Sequence, residues 1–226
     1  MRLLRTLSGL TVAGVLLSGC AATGGPGSTA GPGAAAPAVA TTPVAAVTTL
    51  DTAATAASAR RYAFPVAAKN VSWHETHSGY RATDIFAACG SKVVATTTGV
   101  VLEISRTDRY RKGKDGPYNG GLFVSILGDD GVRYYGSHLK SVTKGIKKGV
   151  RVKVGQQIGK VGRTGNASGV CHLHYGISPA CARVGDWTVR RGVVWPYPYL
   201  KSWRKGGQKS PVAAVKAWRK KHGCKA

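Results

Sequence analysis

Gly169-Val170-Cys171-His172-Leu173-His174-Tyr175-Gly176-Ile177 is a short apolar run that carries two histidines two positions apart. A turn-rich segment from Gly162 to Gly169 precedes it, and the run itself reads as a β-strand. Side chains at i and i+2 of a strand point the same way. Both imidazoles therefore face one side, and Leu173 faces the other. A plain pair of polar positions on a half-buried strand would look the same, so the rest of the chain must decide. His74, His77 and His138 lie upstream beside apolar segments, and Asp84 follows His77 within a loop's reach. Histidines gathered with one of only nine acidic residues have the composition of a zinc site.

Working outward, short β-type segments dominate: 85–88, 92–95, 100–105, 122–127, 132–138, 152–154, 158–161 and 172–177. Turn residues separate them, as in Gly128-Asp129-Asp130-Gly131. With no helical period before Pro196, the expectation is a mainly β, antiparallel sheet or sandwich domain. From Pro196 the period changes. Tyr199, Leu200 and Trp203, then Val212, Val215 and Trp218, fit two short helices, with Ser210 and Pro211 opening the second. The loop 107–121 is long, basic and glycine-bearing, which suggests a mobile segment placed to contact something.

The chain has 226 residues and a formal net charge of +24. Such a balance usually indicates nucleic acid, but the N-terminus argues otherwise. Arg2 and Arg5 precede the apolar segment 10–17, which ends in Leu17-Ser18-Gly19-Cys20. That is the pattern of an export signal, and it is too short to span a membrane. Leu-Ser-Gly-Cys resembles the lipobox of bacterial lipoproteins, which would lipidate Cys20 and anchor it to the membrane. The expected organisation is a signal at 1–19, a disordered Ala/Thr/Pro/Gly-rich tether at 20–60, a β domain carrying the histidines at 61–195 and a basic helical tail at 196–226. A tether almost free of charge and aromatic residues cannot bury enough surface to offset its ordering entropy. An exported chain of this charge would meet anionic cell-wall polymers or lipid headgroups, with no role for nucleic acid. A monomer is assumed.

Cys89, Cys171, Cys181 and Cys224 remain once Cys20 is set aside. An even number in an exported chain suggests two disulfides. Four cysteines allow three pairings, and sequence alone does not choose. If the strand holding Asp84 lies beside the one holding His174, Cys89 and Cys171 fall at comparable heights, which favours that bridge and leaves Cys181 with Cys224.

The motifs, taken together, resemble the lysostaphin-type (LytM-like) zinc peptidases. The resemblance covers about residues 62–178. It comprises His77 with Asp84-Ile85-Phe86-Ala87, then Tyr135-Gly136-Ser137-His138-Leu139, Gly155-Gln156-Gln157-Ile158-Gly159 and His172-Leu173-His174-Tyr175. It implies an open active-site groove and a zinc endopeptidase that cuts peptidoglycan cross-bridges or stem peptides. It further implies that His77, Asp84 and His174 bind one Zn2+, with His172 and His138 lining the site as general base and transition-state stabiliser. The alternative within the family is a non-catalytic module that activates another wall hydrolase; all five positions are present here, which favours an enzyme.

One departure stands out. The commonest family pattern puts Asp four residues after the first His, whereas His77 and Asp84 are seven apart. An odd separation along one straight strand would put them on opposite faces, so the chain must bend, with Gly79 as the pivot. His74 is the rival ligand. Tyr80 is a candidate for substrate contact, and Arg109, Lys112 and Lys114 could attract substrate carboxylates.

Overall fold

The computed structural model describes residues 61–181 and 185–226. The export signal, Cys20 and the tether lie outside the described residues. Two antiparallel sheets form the domain. The larger has seven strands in the order β2 (Val71–Trp73), β3 (Ala82–Ala87), β11 (His172–Pro179), β7 (Val132–Ser137), β6 (Phe123–Gly128), β5 (Gly99–Ser105) and β9 (Arg151–Val152). The smaller has four, in the order β1 (Val66–Ala67), β4 (Lys92–Val94), β10 (Gln157–Val161) and β8 (Leu139–Val142). The mainly antiparallel β expectation holds.

β11 sits between β3 and β7, buried along its whole length. Its alternation divides the domain. Leu173, Tyr175 and Ile177 enter one hydrophobic cluster with Ile85 of β3, Tyr134 of β7, and Val93, Leu139 and Val161 of the smaller sheet. His172 and His174 point away from that core, as the period of 2 requires. Register then fixes their neighbours: His174 lies opposite Asp84 on one side and Ser137 on the other.

The strand expected at 132–138 ends at Ser137, one residue short of His138. His138 has φ of 62°, the left-handed region that a non-glycine residue rarely adopts. The chain thereby leaves the larger sheet at Ser137 and enters the smaller one at Leu139. Two contacts hold the turn: the His138 N–H donates to Gly120 O at 2.9 Å and the Leu139 N–H to Leu122 O at 3.0 Å. Leu139-Lys140-Ser141-Val142 has no long apolar alternation of its own, which is why β8 does not stand out in the sequence.

Three further points correct the sequence reading. A helix does precede Pro196: α1 (Trp187–Arg190), capped by Asp186, whose carboxylate accepts from the Thr188 N–H at 3.2 Å. A single turn with two β-branched residues gives no periodic signal. Strands β1, β2 and β8 are additional, and the first two are too short for alternation to show. The loop 107–121 is tied down near both ends. Asp108 accepts from the Gly165 N–H at 2.9 Å, and Asn119 O accepts from the Asn166 N–H at 2.9 Å.

The tail shares the domain's core. In α2 (Tyr197–Arg204), Trp203 is fully buried and stacks on Tyr62 with ring centroids 5.4 Å apart. Its indole N–H donates to Lys209 O at 2.9 Å, so burial leaves no polar atom unpaired. α3 (Val212–His222) has Pro211 as its N-cap, one position later than the sequence suggests; Pro211 O accepts from the Val215 N–H at 3.0 Å, and Ser210 Oγ from the Val212 N–H at 3.3 Å. Val215 and Trp218 join the same cluster. Cys181–Cys224 pins the end of this helix to the strand side, and Cys89–Cys171 joins the ends of β3 and β11. Among the described residues, no helix is long and apolar enough to cross a membrane.

Candidate metal centre

Asp84 comes from β3 and His174 from β11, set opposite each other by register. His77 comes from the loop before β3. Gly79, with φ of +86°, turns that loop so that a residue seven positions ahead of Asp84 faces it. One ligand atom from each of the three lies within 4.8 Å of the others. His77 Nε2 is 3.7 Å from Asp84 Oδ2, and His174 Nδ1 is 2.9 Å from Asp84 Oδ1. His74 is elsewhere: it is exposed, and its ring meets Phe86 edge-on.

The hydrogen bonds fix the imidazole tautomers. His174 Nε2 lies 3.0 Å from Arg191 O. A carbonyl can only accept, so Nε2 carries a proton. In the neutral ring Nδ1 is then an acceptor, and it faces a carboxylate oxygen at hydrogen-bond distance. Burial alone would raise the Asp84 pKa, but the hydrogen bond and charge of His174, with His172 and His77 beyond, hold it down at about 2. An ionised carboxylate facing a ring lone pair needs a positive centre, which a proton on Nδ1 or a divalent cation supplies. His77 is pushed toward its neutral form, first by burial and then by the neighbouring His174. Neutral imidazoles and an ionised carboxylate are what a metal requires. Two nitrogens and one oxygen, without cysteine, form the donor set of a three-ligand zinc site with an open position. The residues fit the ion.

Two more histidines face the same groove. His172 Nδ1 lies 3.0 Å from Val170 O, and His138 Nδ1 lies 2.8 Å from Thr164 O. Each must donate there, so in the neutral form of either ring Nε2 is the nitrogen left to accept. His172 Nε2 is 3.8 Å from Asp84 Oδ1, and the two rings stand 4.7 Å apart. Burial, then the charges of His174 and His172, drives the His138 pKa down to about 3. His138 is therefore neutral at physiological pH. The left-handed backbone at His138 is what turns its ring toward His172, and strain of this kind often marks functional sites.

His77, Tyr80, Asp84, His138, His172 and His174 all line one open groove of about 490 Å³. Tyr80 rests on His77 with centroids 4.4 Å apart, and burial raises its pKa well above 10. Sequence reading missed Asn119, Asn166 and Arg191, which also line the groove. Arg191 follows α1, and its only sequence signal was the Asp186 cap. Arg109, Lys112 and Lys114 are exposed and lie outside the groove's lining.

Residues 77–185 match the model of Peptidase family M23. An L-Ala–D-Glu endopeptidase of Bacillus subtilis (strain 168) is 34% identical over 132 residues, covering 56% of this chain and 36% of the relative. The chain thus spans about a third of that relative's length. Among solved structures, one from Ruminococcus gnavus, described as a glycyl-glycine endopeptidase lytM, superposes with a TM-score of 0.50 at 24% identity, covering 67% of this chain and 63% of that one. The lysostaphin catalytic domain of Staphylococcus simulans gives 0.46 at 26% identity, over 59% and 94% of the two chains.

Proposed function

The chain carries a LytM-like domain of peptidase family M23, and from this premise we propose that it is a zinc-dependent endopeptidase acting on peptides of the bacterial cell wall. One observation carries the reading: three ligand-type groups and two imidazoles with Nε2 left to accept converge in one groove. A metal-storage site would have no use for the two extra lone pairs. The name of the Bacillus subtilis relative supports a wall peptide as substrate.

In this reading His77, Asp84 and His174 hold the metal, and the Arg191 carbonyl keeps His174 in the tautomer that presents Nδ1. Zinc, when bound, supplies Lewis acidity, polarising a carbonyl and bringing the pKa of water toward about 7. The chain supplies the proton handling. His172 Nε2 accepts a proton from the attacking water and returns it to the leaving amine nitrogen. His138 Nε2, its ring held by Thr164 O, stabilises developing charge on the substrate from the facing side. Amide hydrolysis is balanced by these transfers: water adds across the C–N bond, giving a carboxylic acid and an amine that separate as carboxylate and ammonium.

The two disulfides support a site of action outside the reducing cytoplasm. We further propose that lipidation at Cys20 tethers the domain to the outer face of the membrane, and that the basic surface holds anionic wall polymer. The test is digestion of purified peptidoglycan by the purified chain with zinc, with chelator, and with His172→Ala. New amino termini that require both zinc and His172 would establish the peptidase and identify the bond. Zinc bound at one per chain with no cleavage of any wall type would replace it with the regulatory reading.

A further inference from the structure

Arg191 differs from Arg190, Arg106 and Arg204 in that, among the described residues, its guanidinium meets no carboxylate or carbonyl oxygen. Arg190, its neighbour, pairs with Glu103 at 3.1 Å and donates to Pro117 O at 3.0 Å. Arg106 and Arg204 are each taken up by backbone carbonyls. The Arg191 side chain makes no hydrogen bond and no ion pair among the described residues, and its Nε is buried without a partner. It is nonetheless held firmly. The guanidinium lies over Tyr80 at 3.9 Å and over Trp187 at 4.5 Å. Stacking on aromatic faces fixes the plane of an arginine while leaving its in-plane N–H fork unused.

Its place is equally particular. Arg191 lines the groove that holds His77, Asp84, His138 and His174, and also a second cavity that opens beside His77 toward Trp195, Trp218 and His222. Arg191 is one of three residues, with His77 and Tyr80, that line both cavities, so a peptide lying across them would run beside it. The backbone of the same residue already accepts from His174. The charge reader and the metal-holding histidine are thus rigidly linked, and a group bound by the side chain stands at a fixed offset from the proposed reaction centre.

We propose that Arg191 determines substrate charge: its fork receives a carboxylate of the peptide in the groove. The enzyme is then selective for anionic wall peptides over uncharged ones such as oligoglycine. This rests on the endopeptidase reading for the identity of the ligand as a wall peptide, although the residue's chemistry stands apart from cleavage. A planar, preorganised guanidinium matches a carboxylate with two parallel hydrogen bonds.

The experiment uses the zinc-loaded full chain in a His172→Ala background and two fluorescent synthetic peptides. Both contain an L-Ala–D-Glu pair and differ only in having the glutamyl carboxylate free or as the carboxamide. Anisotropy titration should show the carboxylate form bound tighter by roughly tenfold to a hundredfold, the range expected for hydrogen bonds to a charged group. Arg191→Gln should bring that ratio to about 1. Arg191→Lys, which keeps the charge but loses fork and stacking, should retain part of it and serves if the Gln variant does not fold. A wild-type ratio near 1, no binding of either peptide, or a ratio unchanged in both variants would overturn the assignment. Cleavage by the unmutated chain is scored separately. A charge preference that depends on Arg191 without any cleavage would uphold the residue's role and remove the endopeptidase reading.

Discussion

Arg191 reaches His174 only because Gly176 has no side chain. The two lie against each other where the segment after α1 crosses β11, and a Cβ at Gly176 would collide with the Arg191 carbonyl oxygen. That carbonyl is the acceptor that sets the His174 tautomer. Gly176→Ala should therefore push the carbonyl away and lower zinc affinity by about 10- to 100-fold, the usual effect of losing an outer partner. Chelator competition on the purified variant measures it. An unchanged affinity would show that His174 keeps its orientation without Arg191.

Asp84→Ala and His174→Ala should remove metal and activity together, because each deletes a donor of the three-residue cluster. His138→Ala and His172→Ala should keep one zinc per chain and lose about 10²- to 10⁴-fold in turnover, as expected for proton-handling groups. Metal analysis alongside peptidoglycan digestion checks the split. Loss of metal from His172→Ala would refute the division of roles.

Acid should destabilise the metal-free domain over a definable window. The folded-state pKa of His138 is about 3, against an ordinary 6.5. Between those values the unfolded chain binds more protons, so stability must fall as pH falls, by at most about 1.4 kcal/mol per pH unit from this group. The depressed His77 acts in the same sense. Asp84 contributes stability that is present above 3.8 and lost as pH falls toward about 2. Urea unfolding in chelator between pH 7 and 4 should show this slope, and His138→Gln should make it shallower.

Paired serines at Cys181 and Cys224 should cost about 2–4 kcal/mol of stability. The bridge closes a sequence separation of 43 and holds α3, whose Val215 and Trp218 lie in the core cluster. Denaturant unfolding under non-reducing conditions measures the loss. If the tail instead released without affecting the sheets, the unfolding would show two transitions.

The sequence by itself determined a good deal about this protein. Alternation gave the inward Leu173 and the outward His172 and His174, because a strand's period of 2 is a local property. The turn residues delimited most strands, and the period after Pro196 marked the two tail helices. The odd spacing from His77 to Asp84 demanded a bend, and Gly79 was the residue able to make it. The cysteine pairing followed once β3 and β11 were placed side by side, but that placement is a matter of register, which the spacing of cysteines does not encode.

Tertiary structure alone decided the rest. The left-handed turn at His138 is imposed by contacts with Gly120 and Thr164, residues 18 and 26 positions away, and nothing in its own neighbourhood signals it. The one-turn helix α1 is too short to announce itself, yet it leads Arg191 to the groove and sets Trp187 against its guanidinium. Which ring nitrogens are left to accept was decided by three backbone carbonyls, those of Val170, Thr164 and Arg191. Imidazole identity is written in the chain, but its proton is placed by whichever acceptor the fold brings within reach.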